Sequence, residues 1–244
     1  MLAIIGGSGL THLPGLAHAR WEAIRTPYGD PSAALAIGTF NGKEMIFLAR
    51  HGSKHTIAPH DINYRANIWA LKSAGVSRIL SVASVGGIGA QYLPGSLVIP
   101  HQIIDYTWGR THTFIEFGEP VNHIDFTGPY SEDMRVSILA GANACGEPVL
   151  PRGVYAATQG PRFETAAEID RLERDGADVV GMTAMPEAAL SRELGVAYGA
   201  LAVVANYAAG RGASPQCVDL NAIRVIHREA MARVVRIIEG VSGG

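Results

Sequence analysis

Short apolar runs bounded by turn residues alternate along this chain with stretches whose apolar residues recur at helical spacing. Runs of the first kind predict strands, and stretches of the second kind predict helices. The predicted strands cover residues 2–5, 33–37, 45–48, 79–83, 97–104, 154–158, 178–181 and 196–205. The predicted helices cover residues 63–73, 131–144, 164–174, 186–194 and 219–239.

The order of these elements indicates the fold class. Strands and helices alternate from one end of the chain to the other, which is typical of a three-layer α/β/α domain around a central sheet. The pair Asn41-Gly42 between two predicted strands favours a tight type I′ hairpin. A hairpin adds antiparallel pairing, so we expect a mixed sheet. No linker-like segment divides the chain, and we expect one domain over residues 1–244.

Composition and charge exclude several classes of function. The apolar fraction is 48% and the charged fraction 17%, which favours a well-buried core over disorder. Twenty Lys and Arg against 22 Asp and Glu, with no basic block, argue against nucleic-acid binding. No apolar run approaches the length of about 18 residues that a membrane span needs. Without a predicted signal peptide, and with only Cys145 and Cys217, we expect a cytoplasmic protein.

Polar groups follow several predicted strands at the points where they end. Ser8 lies in a glycine turn after the first strand, Arg50-His51 follow another, and Ser84 and Thr183 follow two more. Hydroxyl, guanidinium and imidazole groups beside glycine backbone suit the binding of a free oxyanion such as phosphate. In isolation, Arg50 and His51 are better explained as a surface arginine and an ordinary loop histidine. The spacing of the histidines matches no metal-ligand pattern, so we predict no metal site.

A second set of residues suits a nucleoside. Met182 and Phe163 offer soft or flat apolar surface for a ribose and a base, and Glu164 and Asn206 can hydrogen-bond a heterocycle edge. Each polar residue also has a simpler interpretation. A glutamate at a predicted helix start often caps the helix, and an asparagine at a strand end often lies in a turn.

Four stretches carry a resemblance to a known family. They are residues 5–10 (IGGSGL), 50–52 (RHG), 59–72 (PHDINYRANIWALK) and 159–183, which begins QGPRFE. Over essentially its full length the chain resembles the trimeric purine nucleoside phosphorylases and methylthioadenosine phosphorylases. The resemblance implies the phosphorylase/nucleosidase type of mixed sheet and cleavage of a purine N-glycosidic bond by inorganic phosphate. Phosphate would then be a co-substrate, with no cofactor required.

The resemblance also implies roles for individual residues and an assembly. Met182 would back the ribose and Phe163 would stack near the base. The chain would form a homotrimer, in which His123 would be a candidate contributor to a neighbour's site. The residues implied to bind phosphate are Ser8, Arg50, His51, Ala83, Ser84 and Thr183.

Departures from the family pattern bear on the base. Methylthioadenosine phosphorylases carry an Asp-x-Asp pair that reads adenine, whereas this chain has Asn206-Tyr207-Ala208 there. An amide can donate a hydrogen bond to a 6-keto oxygen, which an ionised carboxylate cannot do, and its oxygen can also accept from N7–H. The 6-oxopurine-specific relatives share the Phe-Glu and later Asn found here as Phe163-Glu164 and Asn206, so we expect a hypoxanthine-like base read by Glu164 and Asn206.

A further departure concerns the 5′ end of the sugar. Ordinary purine nucleoside phosphorylases place a histidine beyond the asparagine to bind the 5′-hydroxyl. Here residues 216–220 read QCVDL, and the next histidine, His227, lies well inside the last predicted helix. Val218 and Leu220 would present apolar surface, which suits a 5′-methylthio group. The expected substrate is therefore S-methyl-5′-thioinosine, cleaved to hypoxanthine and 5-methylthioribose 1-phosphate.

The expected mechanism passes through an oxocarbenium-like ribosyl cation that the bound phosphate attacks, while Asn206 and Glu164 stabilise the departing purine. Two related activities stay open: a methylthioadenosine phosphorylase with relaxed base choice and a general 6-oxopurine nucleoside phosphorylase. A phosphate-independent nucleosidase and a non-catalytic nucleoside-binding module are the remaining alternatives. Activity with and without phosphate separates these classes.

Overall fold

A ten-stranded mixed sheet forms the centre of the molecule in the computed structural model, which describes residues 1–214 and 216–243. The strands are β1 (Leu2–Gly6), β2 (Ala17–Glu22), β3 (Leu35–Phe40), β4 (Lys43–Ala49), β5 (Arg78–Gly87), β6 (Leu97–Val98), β7 (Gln102–Asp105), β8 (Val154–Ala157), β9 (Val179–Gly181) and β10 (Ala197–Tyr207). The helices are α1 (Tyr64–Ser73), α2 (Glu132–Ala144), α3 (Ala166–Arg174), α4 (Glu187–Glu193) and α5 (Leu220–Gly243).

Helices cover both faces of this sheet. Successive residues of a strand point to opposite faces, and in β1 Ile5 packs into one core cluster while Ile4 packs into the other. The first cluster contains residues of α1 and α4, and the second contains residues of α2 and α5. A third, smaller cluster lies under α3. The predicted three-layer α/β/α architecture is confirmed.

Strand direction changes between β5 and β9, near the carboxyl end of β5. The strand order is β2-β3-β4-β1-β5-β9-β8-β7, and β10 pairs with β5 and β6. Strands β4, β1, β5 and β10 are mutually parallel, so their carboxyl ends meet at one edge. Strand β9 runs antiparallel to the end of β5. Ligand crevices in α/β sheets form at such changes of strand arrangement.

The predicted hairpin between β3 and β4 is present. Asn41 and Gly42 have φ angles of 48° and 75°, the left-handed values that a type I′ turn requires at both central positions. Together with the parallel strands, this antiparallel pair confirms that the sheet is mixed.

The predicted elements differ from the structure at several boundaries, and β5 continues to Gly87, so Ser84 lies within this strand rather than after it. Strand β2 was not predicted: its sequence AHARWE does alternate apolar and polar residues, but two of its three apolar residues are alanines and all six residues are exposed. The strand predicted over residues 97–104 is broken at Pro100 into β6, which pairs with β10, and β7, which pairs with β8. Proline lacks the N–H that a continuous ladder needs. Helix α3 begins at Ala166 rather than residue 164.

No helix among residues 1–214 and 216–243 combines the length and the apolar character needed to cross a bilayer.

Candidate active site

A pocket opens at the edge where the carboxyl ends of β1, β4, β5 and β10 meet the segment after β9. Most residues predicted from the sequence converge on it from distant parts of the chain. Those that line the pocket are Ser8, Arg50, His51, Ser84, Phe163, Glu164, Met182, Thr183, Asn206, Ala208 and Val218.

Arg50 is buried at one end of this pocket and is held by an ion pair with Glu187. Nε donates to Glu187 Oε2 at 2.7 Å and Nη2 to Oε1 at 2.9 Å, a two-point pairing of two side chains that are 1% and 0% exposed. Glu187 also accepts from the hydroxyls of Ser81 and Tyr198. Burial opposes the charge on Arg50, but the Glu187 carboxylate outweighs it, so the pKa of Arg50 lies above its ordinary value.

The same arrangement leaves part of Arg50 available to a ligand. Nη2 also donates to Ser81 Oγ, and Nη1 donates to the carbonyl of Val82 at 3.0 Å. One N–H of Nη1 makes no hydrogen bond within the described residues. Nη1 lies 2.8 Å from where a Cβ on Gly7 would be, so only glycine leaves room for the guanidinium there. The interpretation of Arg50 as an ordinary surface residue is therefore wrong.

His51 follows Arg50 and is largely buried beside it. Its Nδ1 lies 2.9 Å from the carbonyl of Ile57, which can only accept, so Nδ1 carries the proton and Nε2 is left for a ligand. Burial first, and then the charge of Arg50, lower the pKa of His51 from 6.5 to about 4. The ring is therefore neutral at physiological pH and can accept a hydrogen bond at Nε2.

Two serines and a further pair of histidines complete this end. Ser84 Oγ lies 2.6 Å from His227 Nε2, and Ser8 Oγ lies 3.5 Å from His55 Nε2. Burial lowers the pKa of both histidines, and His55 lowers that of His227 further. Ala83 lies in β5 directly before Ser84 but is not among the described residues that line the pocket. Hydroxyls, imidazoles and one guanidinium N–H therefore converge on a space that suits an oxyanion.

His227 is the main residue that the sequence argument set aside. It does lie well inside α5, but it faces the pocket, as does Ile223 one turn earlier on the same helix. The signal available in the sequence was this spacing of four residues, which puts two side chains on one face of a helix. Spacing alone does not say that the face points toward Ser84.

Met182 and Thr183 form the wall between the two ends of the pocket. Thr183 N–H points to Tyr155 Oη at 3.5 Å, and a Cβ on Gly181 would lie 2.0 Å from that same oxygen. Met182 packs against Gly160, whose φ is +63° and whose added Cβ would lie 2.5 Å from the Met182 sulfur. Two glycines therefore allow the strand end and the neighbouring loop to close on this wall.

Glu164 is not a helix cap. The N-cap of α3 is Thr165, which forms a reciprocal capping box with Glu168. Glu164 instead lines the pocket, and its Oε1 accepts from Thr158 Oγ1 at 2.6 Å. Phe163, next to it, is 43% exposed at the pocket rim. A carboxylate with remaining acceptor capacity thus lies beside an accessible aromatic ring.

Asn206 is not a turn residue either. It lies within β10 at a point where the pairing with β5 shifts register between Val204 and Asn206. Such a bulge redirects a side chain next to a site. The Asn206 amide donates from Nδ2 to the carbonyl of Tyr207 at 2.7 Å. Ala208, two residues on, is 2% exposed and packs with Val180 in the small third core cluster.

The remaining predicted residues lie around the rim or away from it. Val218 lines the pocket, whereas Leu220 is 56% exposed and does not line it among the described residues. His123 is exposed in the segment between β7 and α2. No group of three His, Cys, Asp or Glu side chains within residues 1–214 and 216–243 is arranged to hold a metal ion.

Comparison with known proteins agrees with this geometry. The family model for the Phosphorylase superfamily matches residues 1–241. A probable S-methyl-5′-thioinosine phosphorylase of Pseudomonas syringae is 53% identical over 95% of this chain and 94% of its own length. A 6-oxopurine nucleoside phosphorylase of Pyrococcus furiosus is 47% identical over 86% of this chain and 80% of its own.

A solved structure extends the comparison to the fold. The methylthioadenosine phosphorylase of Schistosoma mansoni, in complex with adenine, superimposes with a TM-score of 0.91 at 30% identity. The match covers 99% of this chain and 90% of that one. The predicted phosphorylase/nucleosidase fold is confirmed, and the chain belongs to the phosphorylase superfamily.

Proposed function

We propose that this chain catalyses phosphorolysis of S-methyl-5′-thioinosine to hypoxanthine and 5-methylthioribose 1-phosphate. One observation carries the proposal: a pocket with oxyanion-binding groups at one end has Glu164 and Asn206, with Ala208 in place of a second acidic residue, at the other. Relatives named as probable S-methyl-5′-thioinosine phosphorylases at 47% to 53% identity support the same substrate.

The base is assigned from the hydrogen-bonding capacity of two side chains. Glu164 keeps acceptor positions beyond its contact with Thr158 and would accept N1–H, which a 6-oxopurine has and adenine lacks. Asn206 would donate to O6 or accept from N7–H through the amide atoms that Tyr207 does not use. A 6-amino purine would leave the Glu164 carboxylate facing a lone pair, a mismatch that strongly disfavours binding.

The sugar is assigned from the apolar residues near α5. Val218 and Ile223 line the pocket and offer apolar surface to a 5′-methylthio group. His227 lies beside them, but its Nε2 is engaged with Ser84. This arrangement favours a thioether over a hydroxyl at the 5′ position.

The reaction would proceed by displacement at C1′. The C1′–N9 bond breaks with its electron pair going to the purine, and an oxygen of hydrogen phosphate forms the new bond to C1′. The proton that hydrogen phosphate loses is balanced by the one that N7 gains through solvent. Arg50, Ser8, Ser84 and Thr183 would hold the phosphate against the developing ribosyl cation, with Ala83 contributing backbone. His51 would accept a hydrogen bond from the phosphate. Asn206 and Glu164 would stabilise the leaving purine, so positioning and electrostatics supply the catalysis without a cofactor.

The proposal includes a homotrimer acting in the cytoplasm, with the chain as a single domain. In the segment between β7 and α2, Trp108, Phe117 and Val121 are 71%, 107% and 70% exposed, which is unusual for large apolar side chains. Burial of these residues against a neighbouring copy would bring His123 to that copy's rim. Sedimentation velocity of the purified protein measures the oligomeric state directly.

Activity toward four nucleosides tests the proposal: methylthioinosine, methylthioadenosine, inosine and adenosine, each with and without phosphate. We expect kcat/KM to be highest for methylthioinosine and turnover to require phosphate. Equal values for methylthioinosine and methylthioadenosine would contradict the base assignment. Product without phosphate would indicate a nucleosidase, and binding without turnover a non-catalytic module.

A second function is favoured by the position of His227. The His227 imidazole reaches Ser84 from the same helix as Ile223, and an imidazole there can bind a 5′-hydroxyl, which suits a general 6-oxopurine nucleoside phosphorylase. The Pyrococcus furiosus relative carries that name. Turnover of inosine as fast as methylthioinosine in the same panel would support this function over the first.

A further inference from the structure

Arg110 is a buried arginine outside the pocket that the proposed chemistry does not use. It belongs to the segment between β7 and α2, and it is 9% exposed. Its guanidinium lies over the ring of Tyr64, with 5.5 Å between Cζ and the ring centroid. A buried arginine is costly unless its donors are satisfied, so its partners show what it holds.

The partners of Arg110 are mainly backbone carbonyls on two separate segments. Nη1 donates to the carbonyls of Met185 at 2.6 Å and Met182 at 2.8 Å. Nη2 donates to the carbonyl of Gln159 at 2.8 Å and more weakly to that of Thr158 at 3.4 Å. The two ends of one planar guanidinium therefore hold the segment after β9 to the segment after β8.

These two segments carry neighbouring parts of the lining of the nucleoside half of the pocket. The segment after β9 carries Met182, and the segment after β8 leads through Gly160 to Phe163 and Glu164. A second contact ties the same region together, because Trp108 N–H donates to Gln159 Oε1 at 3.2 Å. Thr183, between Met182 and Met185, is the one residue proposed to bind phosphate that lies on these segments, and Arg50 is held separately by Glu187.

We propose that Arg110 is a positioning residue that sets the spacing between the ribose wall at Met182 and the base-binding segment at Phe163-Glu164. The assignment of the walls to ribose and base rests on the proposed function. A lysine keeps the charge but not the planar fork that spans two segments, so it cannot replace the arginine fully. The buried Arg110 Nε has no acceptor within the described residues, and an unsatisfied buried donor lowers the free energy of unfolding.

Two variants and a matched control test the inference. Arg110→Met removes all donors, and Arg110→Lys keeps the charge. Arg135→Met is the control: Arg135 also joins two backbone segments, donating to the carbonyls of Pro100 at 3.2 Å and Pro151 at 2.6 Å, but away from the pocket. Steady-state kinetics vary the nucleoside at saturating phosphate and then phosphate at saturating nucleoside, using whichever purine nucleoside the wild-type protein cleaves fastest.

We expect Arg110→Met to raise the KM for nucleoside roughly tenfold, and Arg110→Lys to raise it less, because a small displacement of a binding wall has a large effect. The KM for phosphate should stay within about twofold, and Arg135→Met should change neither KM. Equal rises in both KM values, or no rise, would overturn the inference. If Arg110→Met does not fold, an unchanged nucleoside KM in Arg110→Lys overturns it alone. A wild-type protein that cleaves no purine nucleoside refutes the proposed function instead.

Discussion

At the end of the pocket proposed to bind phosphate, Arg50 is charged, buried and fixed by hydrogen bonds to Glu187, Ser81 and Val82. At the end proposed to bind the base, Glu164 and Asn206 are positioned by short local contacts, to Thr158 six residues earlier and to the adjacent Tyr207. The first end is built by contacts that span 31 to 137 residues of sequence, and the second by contacts within a loop and a strand bulge.

This difference suggests how one fold serves several substrates. An arginine held by a buried two-point ion pair cannot change partner without leaving an uncompensated charge, which costs several kcal/mol. A side chain held by a neighbouring hydroxyl or carbonyl can be exchanged with little effect on the rest of the structure. The phosphate end would therefore stay constant among related enzymes, while the base end varies with the substrate.

The largest expected effect comes from breaking the phosphate end at Glu187. In Glu187→Gln the Arg50 charge loses its counterion, and we expect destabilisation of about 3–5 kcal/mol. Because the guanidinium is then free to turn, kcat/KM for phosphate should fall on the order of a thousandfold, with a much smaller change in binding of hypoxanthine. Steady-state kinetics measure the fall in kcat/KM for phosphate, and calorimetric titration measures the binding of hypoxanthine.

Glu193→Gln is a control for this variant, since Glu193 is also in α4 and accepts from the backbone of Phe114. Tyr198→Phe removes one donor to Glu187 but keeps the ion pair, and should give an intermediate effect. Loss of hypoxanthine binding equal to the loss of phosphate turnover would show that Glu187 supports the whole fold rather than one end of the pocket.

The second prediction concerns the lowered pKa of His51, which keeps its ring neutral in the folded protein at physiological pH. Because the pKa of His51 falls from 6.5 in the ordinary state to about 4 in the folded state, the unfolded state binds more protons between these values. The contribution of His51 to the free energy of unfolding should therefore be fully present above pH 6.5. It should decline as pH falls toward 4, with a total loss of about 3 kcal/mol for a shift of this size. Urea unfolding at several pH values measures it.

His55 and His227 act in the same direction, since burial lowers the pKa of both. A His51→Gln variant keeps a side chain that can donate to Ile57 but does not titrate, so the slope of its stability against pH should be shallower. An identical slope would mean that His51 does not contribute to the acid sensitivity.

Sequence alone anticipated the parts of the site that depend on local structure. Glycine turns and apolar runs predict where Ser8, Arg50 and Thr183 leave their strands, and Asn41-Gly42 predicts the hairpin. It did not anticipate Glu187 or His227. Their partners lie 137 and 143 residues away, and each also fits an ordinary amphipathic helix.

Arg110 and the strand break at Pro100 illustrate the same limit. An arginine that donates hydrogen bonds to carbonyls of two other segments produces no periodic pattern in the sequence of its own segment. Residues 97–104 were predicted as one strand across Pro100-His101-Gln102, whereas the two halves pair with different strands of the sheet. Such features depend on the assembled topology rather than on local residue preference.

The third prediction concerns the base end, where substrate choice should be exchangeable. Asn206→Asp together with Ala208→Asp restores the acidic pair of methylthioadenosine phosphorylases. We expect the ratio of kcat/KM for methylthioinosine to that for methylthioadenosine to fall on the order of tenfold or more. Ala208 is buried among apolar side chains, so the single Asn206→Asp variant is the control for the cost of the second carboxylate. An unchanged ratio in both would exclude Asn206 as the residue that reads the base.

The smallest effect is expected at the sugar end, where Ile223 and His227 share one face of α5. If apolar contact selects the methylthio group, Ile223→Ala should lower the preference for methylthioinosine over inosine roughly fivefold, through lost apolar burial. His227→Ala should lower turnover of both nucleosides equally, because His227 acts through Ser84. A loss confined to inosine in His227→Ala would instead assign His227 to the 5′-hydroxyl. The sugar end would then be polar, like the phosphate end beside it, and variation between substrates would be confined to the base.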